Sequence, residues 1–153
     1  MTRAHAARAS AALSAVLALR CGAGAPAPAA VDVKNDACAF CRMPVSDPKL
    51  AAQLAAPSED PRLFDDVGCL RDYLAGHPSL PARSAAYVAD HGTGRWVPAS
   101  SAVYERCPGL QTPMGSHLIA FDPASAPAAA GSGCERLTAA AVFGAAPPPG
   151  GSR

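Results

Sequence analysis

The clearest periodic pattern of apolar and polar positions lies in the segment RLFDDVGCLRDYLAGHP. Val67, Leu70 and Leu74 recur at helical spacing and predict one helix with an apolar stripe along one face. Asp65 or Asp66 precedes the stripe and is the expected N-cap, while glycine and proline beyond it indicate where the helix ends. The first three residues of the segment predict a short strand that leads into the helix.

The other apolar runs are shorter and are bounded by proline, glycine and polar residues, a pattern typical of short strands and turns. They predict a turn and strand over 45–54, two strands over 84–90 and 95–98 joined by the hairpin-like loop HGTG, one or two helical turns over 100–107, a strand over 115–122 and a short helix over 134–143. The expected fold class is therefore α+β, a small domain of short antiparallel strands with one or two helices, built as one unit or as two similar halves.

The N-terminal segment has the pattern of an export signal. Arginine and histidine residues form a positive n-region, and the apolar run AALSAVLAL follows it. This run is shorter than the roughly 20 residues that cross a bilayer, so residues 1–21 are predicted to be a signal peptide. Cys21 is the candidate for lipidation, although Arg20 occupies a position that is normally small. We therefore expect a periplasmic protein tethered to a membrane as a lipoprotein.

Shifts in composition divide the rest of the chain. The predicted segments are a Pro/Ala linker at 22–31, the main domain at 32–122, a second linker at 123–133, the short helix at 134–143 and a disordered tail at 144–153. Half of the 153 residues are hydrophobic, but many of these are alanine, so the core must be small and would gain from a metal or a disulfide. The net charge is +1, and no basic cluster is interleaved with aromatics, so we expect no nucleic-acid partner.

Three sulfur atoms lie close together in the stretch DACAFCRMPV, which contains Cys38, Cys41 and Met43. A zinc clip, a redox pair, a disulfide and a soft-metal site are all compatible with this spacing. Structural zinc usually has four N or S ligands, and the chain offers no second CxxC and no HxxxH pair. A redox pair is expected to begin a helix, whereas prolines follow closely here. A disulfide between the two cysteines remains open at this point.

A second candidate cluster is QTPMGSH, which contains Met114 and His117. On a regular strand the two side chains would face opposite ways, but the intervening Gly and Ser permit a bend that brings thioether and imidazole together. The alternative is a core methionine beside a surface histidine. Thiolate, thioether and imidazole ligands together suit Cu(I), whereas magnesium or calcium would require clustered carboxylates.

The blocks DACAFCRMPV, FDDVGCL and TPMGSHLIAF occur in this order, and the pattern from about Asp36 to Phe121 resembles the NosL family. The members of this family are exported, usually lipid-anchored copper chaperones that serve the maturation of nitrous oxide reductase. The resemblance implies two related ββαβ-like units that bind one Cu(I). It also implies delivery of copper to apo-nitrous oxide reductase together with a membrane ABC-transporter complex. The chain departs from the family pattern at Arg20, before the lipidation candidate Cys21.

The resemblance also implies a set of metal ligands. They are Met114, His117, Cys38, Cys41 and Met43. Met114 is the leading candidate because its thioether is a soft donor, while His117 could instead be a solvated strand residue. The two cysteines and Met43 could form the copper site, an entry site or a structural knuckle.

The remaining chemistry-bearing residues have secondary roles in this hypothesis. Cys69 follows the FDD block and could be a buried inert thiol as well as a ligand. Asp65 and Asp66 are expected to be helix caps rather than Cu(I) ligands, and they could hydrogen-bond a ligating imidazole. Cys107 and Cys134 are additional to the family pattern, and a disulfide between them is a guess.

The sequence therefore favours a Cu(I)-binding metallochaperone that is not an enzyme, because no nucleophile–base pair or paired acids stand out. One alternative is an enzyme, either a thiol-disulfide oxidoreductase that uses Cys38 and Cys41 or a protein like a carbon–mercury lyase. Another alternative is a structural module stapled by zinc.

Overall fold

The computed structural model describes residues 24–151, so the predicted signal peptide and Cys21 lie outside the described residues. The strands in this part of the chain are β1 Ala52–Ala55, β2 Arg62–Phe64, β3 Ala85–Ala89, β4 Trp96–Pro98, β5 Val103–Arg106, β6 Leu118–Phe121 and β7 Glu135–Leu137, and the helices are α1 Val67–Gly76 and α2 Ala139–Phe143. No helix among residues 24–151 has the length and apolar character required to span a membrane.

The strands form two small antiparallel sheets, which confirms the expected α+β class. The first sheet has the order β2-β1-β3-β4, and the second has the order β6-β5-β7. A parallel bridge between Asp90 and Ala120 joins the sheets, and the His91 N–H donates to the Ala120 carbonyl at 2.8 Å. The first sheet contains the succession ββαβ, whereas the second half of the chain runs βββα. The core lies between α1, α2 and the two sheets.

Helix α1 begins and ends close to the predicted positions. Asp66 is the N-cap, with extended backbone and a carboxylate that accepts the Gly68 N–H at 2.6 Å. Val67, Cys69 and Leu70 are buried, so the first turn of the helix provides most of its contact with the core. Because Asp66 caps the helix, the preceding Asp65 is available for another role.

Two expectations for the second half of the chain were wrong. The helical turns predicted over 100–107 are replaced by β5, which pairs with both β6 and β7 and buries Tyr104 and Glu105. The helix predicted over 134–143 is restricted to α2, because Glu135–Leu137 forms β7 along β5. In both cases pairing with strands distant in sequence overrides the weak local helical preference.

Both ends of the described chain contact the first sheet. Ala29 exchanges two hydrogen bonds with the buried Gln53 amide, at 2.7 and 3.0 Å, and its carbonyl also accepts the Trp96 indole N–H at 2.8 Å. At the other end, the Ala86 N–H donates to the Pro148 carbonyl at 3.1 Å. Part of the predicted linker 22–31 and part of the predicted tail 144–153 therefore lie on the domain.

Candidate metal centre

The two cysteines of the CxxC motif lie on a tight knuckle. The Cys38 N–H donates to the Met43 carbonyl at 2.8 Å, and the Arg42 N–H donates to the Cys38 carbonyl at 3.0 Å. Arg42 has a φ of 69°, the left-handed conformation that closes the turn. The knuckle is attached to β2 by a hydrogen bond from the Ala39 N–H to the Leu63 carbonyl, at 2.8 Å. This attachment places the knuckle beside the β2–α1 junction.

Four side chains converge where the knuckle meets this junction. The Sγ atoms of Cys38, Cys41 and Cys69 and a carboxylate oxygen of Asp65 all lie within 4.8 Å of one another. None of the three cysteines is in a disulfide. Cys38, Cys69 and Asp65 are buried, while Cys41 is half-buried. We call these four residues the thiol cluster; its only partly accessible member is Cys41.

The protonation of the thiol cluster follows from its burial. Burial raises the pKa of the Cys69 thiol well above its usual range, and the neighbouring Asp65 carboxylate raises it further. Burial likewise raises the pKa of Cys41, whose Sγ lies 3.4 and 3.5 Å from the two Asp65 oxygens. Without a metal these two thiols are therefore protonated, and the Cys41 thiol donates to Asp65.

Asp66 connects the thiol cluster to the TPMGS loop. Its carboxylate accepts hydrogen bonds from the Ser116 hydroxyl and, at 3.1 Å, from the Met114 N–H. Gly68 makes this approach possible, since a Cβ at this position would lie 2.6 Å from the Ser116 Cβ. The neighbouring carboxylates of Asp65 and Asp66 thus contact the two sulfur-bearing blocks, which are far apart in sequence.

The bend expected between Met114 and His117 is present. Gly115 has a φ of 66° and His117 has a φ of 59°, so the chain does not extend regularly until β6 begins. The Met114 side chain is 46% exposed and is free to meet an incoming ligand. The His117 Nδ1 lies 2.7 Å from the Leu110 carbonyl, which can only accept, so Nδ1 carries the proton. The lone pair of His117 Nε2 is then available for a metal, as is usual for a ligating imidazole.

The predicted site residues are only partly brought together. Cys38 and Cys41 lie in the thiol cluster. Within residues 24–151 the cluster does not include His117. Met43 contributes its carbonyl to the knuckle and leaves its side chain 49% exposed. Copper ligation by Met114, His117 and Met43 therefore stays a prediction.

Cys69 and Asp65 belong to the thiol cluster, although their positions in the sequence predict only secondary roles. The sequence leaves Cys69 open as either an inert buried thiol or a ligand. It favours a helix cap as the role of Asp65. A signal was present, because a strand that ends at FDD and a helix that begins at once must place Asp65 and the first-turn Cys69 near each other. The sequence does not show that the knuckle lies beside these two residues, because its position depends on contacts with β2.

Cys107 and Cys134 form the guessed disulfide, at an S–S distance of 2.03 Å. Cys107 also donates its N–H to the His117 carbonyl at 2.8 Å, so the disulfide lies at the base of the loop that contains Met114 and His117. Nearby, the buried Glu105 accepts the Arg136 guanidinium at 2.7 Å and the Gly131 N–H at 3.2 Å. The second sheet and the base of the loop are therefore cross-linked twice.

The donor set of the thiol cluster fits a soft metal ion. Three thiolates match the preference of Cu(I). With the additional carboxylate, the donor set is also compatible with a four-coordinate zinc ion. The fold and this centre define the class of the molecule: a small α+β protein with a thiol-rich candidate metal site.

The family model of NosL matches residues 29–132, more than half of the chain. The chain therefore belongs to the NosL family, and this membership supports a copper-related chaperone role. No curated protein and no solved structure matches the chain.

Proposed function

We propose that the protein is a periplasmic Cu(I) carrier that delivers copper for the copper–sulfide centre of nitrous oxide reductase. The observation that supports this most directly is the thiol cluster, in which three free sulfurs and Asp65 converge and Cys41 remains half-exposed. A carrier requires soft ligands that hold Cu(I) and one side from which a partner's ligand can enter. The cluster has both properties.

Uptake and release are ligand exchanges that leave copper as Cu(I). On uptake, the metal replaces the thiol protons of the cluster, which pass to solvent, and thiolates become the ligands. Asp65 loses the Cys41 thiol as a donor at this step, and its carboxylate lies beside the bound ion without being needed to balance its charge, because the thiolates already outweigh the single charge of Cu(I). On release, the ligands of the acceptor replace the thiolates, which regain protons. No electron is transferred in either direction.

Met114 and His117 act on the open side of this site in the proposal. The exposed thioether of Met114 is a neutral soft ligand that can take Cu(I) from a donor and pass it onward. His117 presents Nε2 because its Nδ1–H is used by the Leu110 carbonyl. The apo-nitrous oxide reductase is the proposed acceptor, and a membrane ABC-transporter complex and a lipid anchor at Cys21 complete the proposed setting.

The test is an anaerobic Cu(I) titration of the full chain against a Cu(I)-specific chelator. We expect one Cu(I) per chain, a weaker affinity for Cys41→Ser and Cys69→Ser, and further weakening for Met114→Ala and His117→Ala. Ser101→Ala is the control, because Ser101 is exposed and lies outside the cluster. Unchanged Cu(I) affinity in the Cys38→Ser/Cys41→Ser/Cys69→Ser variant would refute the proposal.

A zinc-stapled module is the second candidate, and Asp65 is the observation that favours it. A hard carboxylate would contribute little to Cu(I), but with the three thiolates it would supply the fourth ligand that structural zinc requires. Asp65→Ala separates the two, since it should weaken zinc far more than Cu(I). Tight zinc binding without a preference for Cu(I) would favour the structural role.

A further inference from the structure

A groove of about 490 Å³ lies directly beside the knuckle. It is lined by Ala39, Phe40, Arg42, Arg62, Tyr73 and His77. We call it the basic groove, because two guanidinium groups and one imidazole line it and no carboxylate does. Three of the lining residues, Ala39, Phe40 and Arg42, are chain neighbours of Cys41, so the groove is built in part from the knuckle that carries this half-buried thiol.

The positive charge of the groove is only partly compensated. Arg62 forms an ion pair with Glu59 at 2.9 Å, in which both side chains are more than one third exposed. Arg42 is exposed and has no ion-pair partner among residues 24–151. A free guanidinium at the rim of a site is suited to bind a carboxylate with two parallel hydrogen bonds.

The backbone conformation at Arg42 decides which substitution tests its guanidinium. Its φ of 69° lies in the left-handed region, where glycine is favoured and long side chains are rare. The knuckle would therefore close more easily with glycine at this position. Glycine is therefore the substitution that removes the Arg42 guanidinium with the least strain on the turn.

Two exposed apolar residues lie close to Arg42 in the chain. The side chains of Phe40 and Met43 are 44% and 49% exposed on either side of Arg42. A protein that takes copper from Cys41 must cover these residues, because its own ligand has to approach the ion directly. Exposed aromatic and methionine side chains around one arginine are typical of the centre of a protein interface.

We propose that the basic groove is the docking surface for the copper acceptor, and that the acceptor places an acidic side chain against Arg42. This inference rests on the proposed carrier function and adds the position and the charge of the contact. The acceptor's carboxylate binds Arg42 while its apolar residues cover Phe40 and Met43. Docking in this way places its copper ligands next to Cys41.

The experiment compares copper transfer by the loaded full chain and by three variants. Arg42→Gly removes the guanidinium and relaxes the turn, so it should leave folding intact. Arg42→Lys keeps the charge, and Arg83→Gly is a matched control, because Arg83 has a φ of 64° and does not line the groove. Affinity is measured with a Cu(I) chelator, and transfer to apo-nitrous oxide reductase is measured by stopped flow at low and high salt.

We expect Arg42→Gly to keep its Cu(I) affinity within about twofold but to transfer copper about tenfold more slowly at low salt, with a weaker salt dependence. Arg83→Gly should match the wild type, and Arg42→Lys should lie between the two. Equal transfer rates for Arg42→Gly and Arg83→Gly would overturn the docking proposal and leave the carrier function intact. So would Arg42-dependent binding to phosphatidylglycerol vesicles without an effect on transfer, since the groove would then face a membrane. Absence of Cu(I) binding by the wild type would instead remove the carrier function on which the docking proposal rests.

Discussion

Gly68 allows the first turn of α1 to approach the TPMGS loop, and its substitution tests how the two blocks are held together. In Gly68→Ala the new Cβ would lie 2.6 Å from the Ser116 Cβ, 3.1 Å from Asp66 Oδ1 and 3.3 Å from the Ser116 hydroxyl. The first distance is too short for two carbon atoms, so the loop or the helix must move. Movement in either direction weakens the hydrogen bond between Ser116 and the Asp66 carboxylate.

The magnitude of this effect follows from three contributions. Overpacking in a fixed environment costs about 1–3 kcal/mol. Loss of a hydrogen bond to a charged group costs about 1.5–3 kcal/mol, and alanine in place of glycine in a helix returns about 1 kcal/mol. We therefore expect Gly68→Ala to lower the free energy of unfolding by about 1.5–5 kcal/mol. Cu(I) affinity should fall as well, because Met114 is displaced with the loop.

Urea unfolding of the metal-free protein and chelator competition for Cu(I) measure the two effects. Gly76→Ala is the matched control, because Gly76 lies in the same helix and a Cβ there would meet nothing within 4 Å. The double variant Gly68→Ala/Ser116→Gly should recover part of the loss, since it removes the Cβ that causes the clash. If Gly68→Ala proved as stable as Gly76→Ala and bound Cu(I) equally well, the contact between α1 and the loop would not position Met114.

Three further predictions concern other parts of the molecule. Cys69→Ser should lower Cu(I) affinity at least about tenfold in chelator competition, as is also expected for Cys41→Ser, whereas an inert buried thiol would leave affinity unchanged. Burial opposes the charge of Asp90, but hydrogen bonds from Asp122, Thr93 and Ser125 lower its pKa below the usual value. A lowered folded pKa stabilises the protein above the unfolded pKa of about 3.9, and this contribution is lost as the pH falls through the folded pKa. The Asp90→Asn variant should thus be less stable than the wild type in urea by about 2–4 kcal/mol at neutral pH, and the difference should shrink as the pH falls through the folded pKa; a difference that does not shrink would contradict this. Removal of the Cys107–Cys134 disulfide, which spans 27 residues, should lower the free energy of unfolding by about 3.5 kcal/mol. Urea unfolding of Cys107→Ser/Cys134→Ser and of the wild type measures this difference, and equal stability would contradict the prediction.

The parts of the fold that the sequence predicted well depend on neighbouring residues. Helix α1 and its cap are encoded by a local stripe and by the aspartate before it, and the hairpin of β3 and β4 is encoded by two short strands around HGTG. Strand β5 was mistaken for helical turns, because Val103–Arg106 becomes a strand only through pairing with β6 and β7. The partners of this strand lie up to 33 residues away, since Tyr104 pairs with Leu137.

The same distinction applies to the candidate site. The CxxC motif and the TPMGSH block are visible as sequence patterns, and the family resemblance that they carry is confirmed. The inclusion of Cys69 and Asp65 was not predictable from those patterns, since it depends on the bond between Ala39 and Leu63 that fixes the knuckle on β2. Likewise, the bond between Asp66 and Ser116 joins residues 50 positions apart.

The burial of the thiol cluster explains how one site can be both protected and selective. A thiol with a raised pKa is mostly protonated and is therefore a poor nucleophile, so Cys41 and Cys69 resist oxidation although the thiols lie within 4.8 Å of one another. The same burial requires a metal to displace those protons, which favours ions with a strong preference for thiolate. If protons are released on binding, as the proposed carrier function requires, Cu(I) affinity is expected to rise with pH. In that proposal, a site that is shielded when empty holds copper through ligands that an acceptor displaces once it covers Cys41.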